Sequence, residues 1–235
     1  MTGLILGIVP ARAGSKGVPG KNISLLAGRP LLDYTVRAAH ESGVIDRLIL
    51  STDSEEIADI GRTCGLEVPF LRPADLAADD SPMLSVVEHA LKTLERSGWH
   101  PQVIIVLQPT SPLRRPDHIS DAVRLLRDTN ADSVASVIEL PLHMSPDYVM
   151  KIDEGHLKPF LAHGSKITRR QDARLAYVRD GTVYAFWRRT IVEQHSLYGQ
   201  DCKPLVLPSS ESITIDTFED LAEAERRLAS ATTCP

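Results

Sequence analysis

The sequence predicts an α/β domain built on a doubly wound, mostly parallel sheet, and three observations lead there. Short apolar runs alternate with amphipathic segments from residue 4 to about residue 140, the signature of consecutive βαβ units. Each apolar run ends at polar residues, as a strand does on leaving a core. At 235 residues and 43% apolar content, the chain can bury one substantial core, so disorder is excluded.

The elements follow in order. Residues 4–9 are continuously apolar apart from Gly7 and read as a buried strand. A loop rich in glycine and cations, 10–22, comes next, and residues 23–30 delay the helix that Leu32, Val36 and Ala39 mark by their spacing. A strand at 48–50 leads to a helix carrying Ile57, Ile60, Gly61 and Cys64 on one face. Leu84, Val87, Leu91 and Leu94 define the helix before the strand at 103–107. Ile119, Ala122, Val123 and Leu126 define the helix after it, with Pro116 suited to a first helical position. A strand at 134–138 closes this series, and four such units fill a doubly wound sheet.

From 143 to about 180 the pattern breaks. Pro146 and Pro159 interrupt it, just after Pro141, and residues 165–171 are polar and basic, which reads as a hairpin-like insertion projecting from the sheet edge. Alternation at 182–186 returns the chain to the sheet. A final helix from 217 to about 228 presents Phe218, Leu221, Ala222 and Leu228. The whole chain, 1–235, is expected to be one domain carrying this insertion.

Composition excludes several classes of function. A net charge of −5 argues against a general nucleic-acid binder, which needs excess cations to displace counterions. Cys64, Cys202 and Cys234 are odd in number and far apart, without histidines at metal-ligand spacing, so neither a disulfide framework nor structural zinc is expected. No apolar run approaches a membrane span and the amino terminus lacks a signal-peptide pattern, so no membrane partner is expected and the cytoplasm is the expected location.

The chemistry concentrates in the first loop. Arg12, Lys16 and Lys21 supply charge, while Gly14, Gly17 and Gly20 let backbone N–H groups approach an anion, which suits a triphosphate. It is not a Walker A loop: five residues separate Gly14 from Gly20, and Asn22 follows Lys21 where Ser or Thr should stand. A GxGxxG fingerprint is also absent. The alternative is a glycine-rich surface turn with solvated lysines. In an open parallel sheet, loops leaving the carboxyl ends of strands meet around the ligand, so 10–22, 51–53 and 108–114 should converge. Gln108 emerges there from a buried strand and is expected to touch ligand. Asp53 reads as a cap for the next helix, with Glu56 completing the box.

Pro10-Ala11-Arg12-Ala13-Gly14-Ser15-Lys16-Gly17 with Lys21-Asn22, then Ser51-Thr52-Asp53, the segment from Leu107 and Gln108 to Arg114, and Ile215-Asp216-Thr217-Phe218 together resemble the acylneuraminate cytidylyltransferase family. Its members, the CMP-sialic acid synthetases among them, couple CTP to an acidic sugar. The resemblance runs from residue 4 to residue 228 and implies a nucleotidyltransferase fold of the Rossmann-like kind. It also implies a homodimer formed through the insertion, whose arginines could serve the neighbouring subunit's site.

By that resemblance Arg12 and Lys21 hold the triphosphate and stabilise charge developing in phosphoryl transfer, where positioned cations are the main catalytic resource. Pro10, Ala11, Gly14, Ser15, Lys16, Gly17, Ser81 and Gln108 surround the nucleotide, and Asn22 and Arg72 match positions that read cytosine. Asp216 is the metal candidate, with Mg²⁺ the expected ion because a hard cation on few carboxylates and on substrate phosphates fits these ligands. Asp216 could instead cap the last helix, but Thr217 with Asp220 forms a plausible capping box that leaves its carboxylate free.

The sequence departs from the family where the acceptor should bind. Sialate enzymes tend to read Asp-Ile-Asp and Arg-Pro-Asn-Gly where this chain reads Thr214-Ile215-Asp216 and Val178-Arg179-Asp180-Gly181. Arg179 lies one position from the expected arginine and would face the opposite way in an extended segment. Arg170 matches a basic position, flanked by Arg169 and Arg174; the alternative for this cluster is a solvated face. Gln108, Arg170, Arg174, Arg179 and Asp180 are the acceptor-binding candidates. The expected reaction is attack of an acceptor oxygen on the α-phosphorus of CTP, giving a CMP conjugate and pyrophosphate. The acceptor is expected to be a nonulosonic acid, with a 3-deoxy-octulosonate or a small phosphonate as alternatives; a CTP-binding sensor without turnover is the non-enzymatic alternative.

Overall fold

The first apolar run forms β1 (Ile5–Pro10), buried along its length up to Pro10. In this computed structural model, which describes residues 3–14, 17–162, 169 and 172–232, the chain then makes a 3₁₀ turn at Lys21–Ile23. A minimal hairpin of β2 (Leu25–Leu26) and β3 (Arg29–Pro30) fills the interval before α1 (Leu31–Glu41). There follow β4 (Arg47–Ser51), α2 (Glu55–Thr63), α3 (Met83–Arg96), β5 (Val103–Val106), α4 (Pro116–Thr129) and β6 (Ser133–Glu139). Beyond β6 come the hairpin of β7 (Met150–Asp153) and β8 (His156–Pro159), the long β9 (Tyr177–Trp187) and α5 (Arg188–Val192). The chain closes with β10 (Cys202–Leu207) and α6 (Phe218–Thr232). Among the described residues no helix is long and apolar enough to cross a membrane.

The main sheet has six strands in the order β10, β6, β9, β5, β1, β4. β1 is parallel to both β4 and β5, and β10 is parallel to β6. β9 is antiparallel to β5 and to β6, so the strand that returns the chain to the sheet enters its middle. β10 was not legible in the sequence: Pro204 interrupts it, which an edge strand tolerates because one side of its ladder faces away from any partner.

Alternation along the central strands divides the core. Ile5, Val9, Leu48, Leu50, Val103 and Ile105 point to the face covered by Leu32 and Val36 of α1, Ile57 of α2 and Ile119 and Val123 of α4. Leu6, Ile8, Ile49, Ile104 and Val106 point to the other face, against Val87, Leu91 and Leu94 of α3 and Ile191 of α5. Each large side chain so enclosed contributes roughly 1.5–3 kcal/mol relative to exposure. A third cluster, Leu26, Leu31, Ile215 and Ala224, seats α6 on the β2–β3 hairpin and brings residues 215–216 beside the first loop.

The pairing of β6 with β9 is irregular. Ala135 of β6 pairs with Tyr184 of β9, whereas Val137 pairs with Arg179, so two steps on β6 face five on β9. Such a bulge bends its strand and re-aims side chains, and Gly181 lies at its centre with φ +77°, where an L side chain is strained.

Candidate active site

β1 connects outward to β4 and β5 lies on its other side, so the loops after β1 and β5 diverge and open a crevice at the carboxyl edge. A cleft of about 190 Å³ lies there. The first loop contributes Pro10, Arg12, Lys21 and Asn22, the second contributes Gln108, Pro109 and Thr110, and Arg72 and Met83 complete the lining.

The first loop is held from several sides. Ala11 N–H donates to Ser51 O at 2.9 Å, and Ala13 N–H donates to the Asp53 carboxylate at 2.9 Å. Asp53 is therefore not the cap of α2; Ser54 is, accepting from Ile57 N–H at 3.3 Å. The Asn22 amide nitrogen donates to Arg12 O at 3.0 Å, so that amide braces the loop as well as lining the cleft. A Cβ on Gly17 would lie 2.0 Å from Asp216 O, which only glycine permits, whereas one on Gly14 would meet nothing within 4 Å. Ser15, Lys16 and Arg170 lie outside the described residues.

Lys21 reaches across the cleft mouth: its Nζ donates to Ile215 O at 2.7 Å and to Asp216 Oδ1 at 2.9 Å. Residues 214–216 are fixed there by Ile215 N–H donating to Thr110 O at 2.9 Å and by Thr214 Oγ1 donating to Asp180 O at 3.0 Å. Thr217 and Asp220 form the reciprocal capping contact, with Asp220 Oδ2 accepting from Thr217 N–H at 2.8 Å and Thr217 Oγ1 accepting from Asp220 N–H at 3.2 Å. The Asp216 carboxylate is thereby left 71% exposed, bound to Lys21. Arg12 pairs with Asp79 at 2.7 Å.

Arg72 is buried beneath the cleft. Its Nε donates to Ser51 Oγ at 3.1 Å, a second guanidinium nitrogen donates to Ser51 O, and its own N–H donates to Thr52 O at 2.7 Å. Burial lowers its pKa to about 10, against the pull of Asp53, which leaves it a cation at neutral pH. Ser81 takes a different place: its hydroxyl donates to Asp75 O at 3.0 Å, and it does not line the cleft.

Arg114, which the sequence named only as the end of a matched segment and gave no role, supports the cleft from below the second loop. It is buried, with Nε donating to Thr182 O at 2.5 Å, Nη1 to Thr35 Oγ1 at 2.6 Å and Nη2 to Gln108 O at 2.6 Å. One guanidinium thus ties the second cleft loop to β9 and to α1. Burial lowers its pKa to about 9, partly offset by Asp180, and it stays charged at neutral pH. An arginine between Pro112 and Pro116 carries no sequence mark of such burial.

The acceptor candidates separate. Gln108 lines the cleft and abuts Gly181, where a Cβ would lie 2.6 Å from Gln108 Oε1. Asp180 is displaced from the expected role: it is buried, and its carboxylate accepts from Ser136 Oγ, from Thr182 N–H at 3.2 Å and from Thr182 Oγ1 at 2.5 Å. Those bonds secure the bulge, because the carboxylate must be satisfied wherever water is excluded. Arg174 is also engaged elsewhere, in a two-pronged pair with the buried Asp147, with Nη2 to Oδ1 at 2.6 Å. Arg179 is exposed, its guanidinium 4.9 Å above the Tyr198 ring and hydrogen-bonded to the Tyr198 hydroxyl.

Among the described residues no three His, Cys, Asp or Glu side chains gather as a metal cage. Asp216 fits instead the demands of an ion carried mainly by nucleotide phosphates, which takes one or two protein carboxylates and keeps its waters. Thr214, at the position of the second family carboxylate, is neutral and donates its hydroxyl to Asp180 O, so Asp216 is the carboxylate this segment offers.

Comparisons with known proteins point to one family. A family model described as cytidylyltransferase matches residues 6–224. The CMP-N,N'-diacetyllegionaminic acid synthase of Legionella pneumophila is 40% identical over 225 residues, covering 94% of this chain and 95% of that protein. The N-acylneuraminate cytidylyltransferase of Streptococcus agalactiae is 31% identical over 215 residues, 91% of this chain, which spans only 50% of that longer relative. In structure, the chain superposes on a CMP:2-keto-3-deoxy-manno-octonic acid synthetase complexed with CTP with a TM-score of 0.73 at 14% identity, covering 97% and 99% of the two chains, a likeness of fold. The family match takes in β1, both loops that wall the cleft and the segment bearing Asp216, and so the chain belongs to the cytidylyltransferase family.

Proposed function

We propose that this chain transfers the cytidylyl group of CTP to a nonulosonic acid, releasing pyrophosphate. The observation that carries the reading is the pairing of Lys21 with Asp216 at 2.9 Å, at the mouth of the crevice between β1 and β5. A cation and a carboxylate far apart in sequence meet where the fold directs nucleotides. The acceptor class is supported by relatives that act on N,N'-diacetyllegionaminic acid and on N-acylneuraminate.

In this reading Arg12 and Lys21 hold the phosphates and offset the charge that grows on phosphoryl oxygens, with no protein nucleophile required. The acceptor oxygen forms a bond to the α-phosphorus while the bond to pyrophosphate breaks. Arg72 and Asn22, fixed by Ser51 and Arg12 O, line the inner end of the cleft where the base would sit. Mg²⁺ held at Asp216 would neutralise phosphate charge and orient the leaving group. Arg12 must release Asp79 and Lys21 must loosen from Asp216 as the phosphates enter.

The reading extends to a homodimer built on the 143–180 segment, supported by its exposed apolar side chains: Ile152 is 79% exposed, Leu157 69% and Phe160 60%. A cytoplasmic location is supported by Cys64 and Cys202, which stand as free thiols. The test is pyrophosphate release from the purified protein with magnesium, N,N'-diacetyllegionaminic acid and CTP, UTP, ATP or GTP in turn. CTP-selective release is expected. Tight CTP binding with no release across a broad panel of acids would favour a sensor instead.

A further inference from the structure

A second cavity, of about 470 Å³ against about 190 Å³ for the nucleotide cleft, opens between α1, α6 and the loop that precedes α4. Its volume falls within the range of small-molecule sites, about 300–1,000 Å³. The two linings have no residue in common. Ala38, Pro112, Leu113 and Leu228, all buried or half-buried, give it an apolar floor beside the Tyr34 ring. That ring is held in place, because its hydroxyl donates to Leu26 O at 2.7 Å.

The charge around this floor is mostly positive. Arg37, Arg115 and Arg227 line the cavity against Glu41 and Glu211. Each arginine is paired with a carboxylate outside the lining: Arg37 with Asp33 at 2.7 Å, Arg115 with Asp117 at 2.6 Å and Arg227 with Glu223 at 2.6 Å. Arg115 also holds Glu211 at 2.6 Å. Exposed pairs of this kind are worth about 0.2–1 kcal/mol, so an entering anion can replace them. Arg114 belongs to the same wall and is buried. Among the described residues its hydrogen bonds go to backbone carbonyls and to the Thr35 hydroxyl, none of them charged. A cation taken out of water without a counter-ion in contact favours negative charge beside it.

We propose that this cavity binds an organic anion with an apolar, ring-sized body, its acidic head among Arg37, Arg115 and Arg227 and its body on Leu113 and Leu228. An inorganic anion would leave the apolar floor uncovered, and a neutral apolar molecule would leave the guanidinium groups unused. The site is separate from the nucleotide cleft, yet an occupant touches what supports that cleft. Ser210 and Glu211 lie on the connection that leads to Asp216, and Arg114 holds Gln108 O at 2.6 Å. The assignment does not depend on the cytidylyl-transfer reading.

The probe is anilinonaphthalene sulfonate, and its control is phenylnaphthylamine, which has the same rings without the sulfonate. Methyl-resolved NMR titration of the whole chain, without CTP, reads place and affinity together. The sulfonate is expected to shift the Ala38, Leu113 and Leu228 methyls and to bind about tenfold or more tighter than the amine. Arg37→Gln and Arg227→Gln should each weaken the sulfonate about threefold, and together should remove most of the preference with the amine unchanged. Shifts confined to Met83 of the nucleotide cleft, or to the exposed Ile152 and Leu157, overturn the proposal. Equal affinities in wild type overturn it too, as does a preference that survives both single substitutions and their combination. Neither CTP nor turnover enters the measurement, so failure of the cavity and failure of the transfer reading are told apart.

Discussion

Around the cleft, charged side chains are buried and cross-linked: Arg114 spans α1, β9 and the second loop, and Arg72 is locked onto Ser51. In the segment between β6 and β9 the distribution is inverted, with Ile152, Leu157 and Phe160 standing in solvent. Buried cations must be satisfied within the chain, so the first region is rigid by construction; the second leaves apolar groups exposed, which the proposed dimer would cover. The cleft region is therefore built for one shape, whereas the other region keeps its apolar side chains at the surface.

The sharpest way to break this contrast is Arg114→Met. Removing the guanidinium leaves Thr182 O, Gln108 O and Thr35 Oγ1 without their donor, each at a cost of about 1–3 kcal/mol. Unfolding in urea should show a loss of about 3 kcal/mol or more. A change under 1 kcal/mol would mean that the cleft does not depend on its buried cross-links.

Next in size is Lys21→Ala. By analogy with loss of a single oxyanion donor, kcat for pyrophosphate release should fall about 10²–10³-fold, or about 2.7–4 kcal/mol. A steady-state assay at saturating CTP checks it, and an unchanged kcat would remove Lys21 from the reacting centre.

Asp220→Ala tests the cap that frees Asp216, with an expected loss of about 1 kcal/mol in urea unfolding at neutral pH. Burial raises the Asp220 pKa, but the hydrogen bonds from Asp216 N–H, Thr217 N–H and Thr217 Oγ1 outweigh it and hold the carboxyl below its usual range. Because the folded value lies below the unfolded value of about 3.9, this contribution is present above that pH and is lost as pH falls through the folded value. The gap between wild type and Asp220→Ala should therefore narrow on acidification; a gap that widened would reverse the assignment.

The smallest effect on stability is expected from Ile152→Glu with Leu157→Lys. Both positions are exposed, so unfolding should move by less than about 0.5 kcal/mol at each site. Sedimentation should nonetheless shift toward monomer. A large loss of stability without dissociation would mean that the hairpin serves the monomer's own core.

Legibility in the sequence followed the same divide. β1, β4, β5 and β6 and the helices that cover them could be read because their side chains obey periods of two and 3.6, and burial selects for those periods. β10 escaped because Pro204 broke its run at the sheet's edge, and the central place of β9 escaped because alternation says that a strand exists, not which neighbours it takes. In the site, Arg12, Lys21 and Asn22 stood in one dense loop, whereas Arg114, named only as the end of a matched segment, showed nothing of its burial. Asp53 and Ser54 could each have capped α2, and the proximity of Ala13 N–H to Asp53 decided it.

By itself the amino-acid sequence determined the layered α/β class, the dense glycine- and cation-rich loop after β1 and the capping of α6 by Thr217 and Asp220, since these rest on spacing within a few residues. Only the tertiary structure decided that Lys21 meets Asp216, that Arg114 stitches α1 to β9, and that Arg179 turns toward Tyr198. Those pairings join residues brought together by sheet order and by a bulge, and neither is written in any local run of side chains.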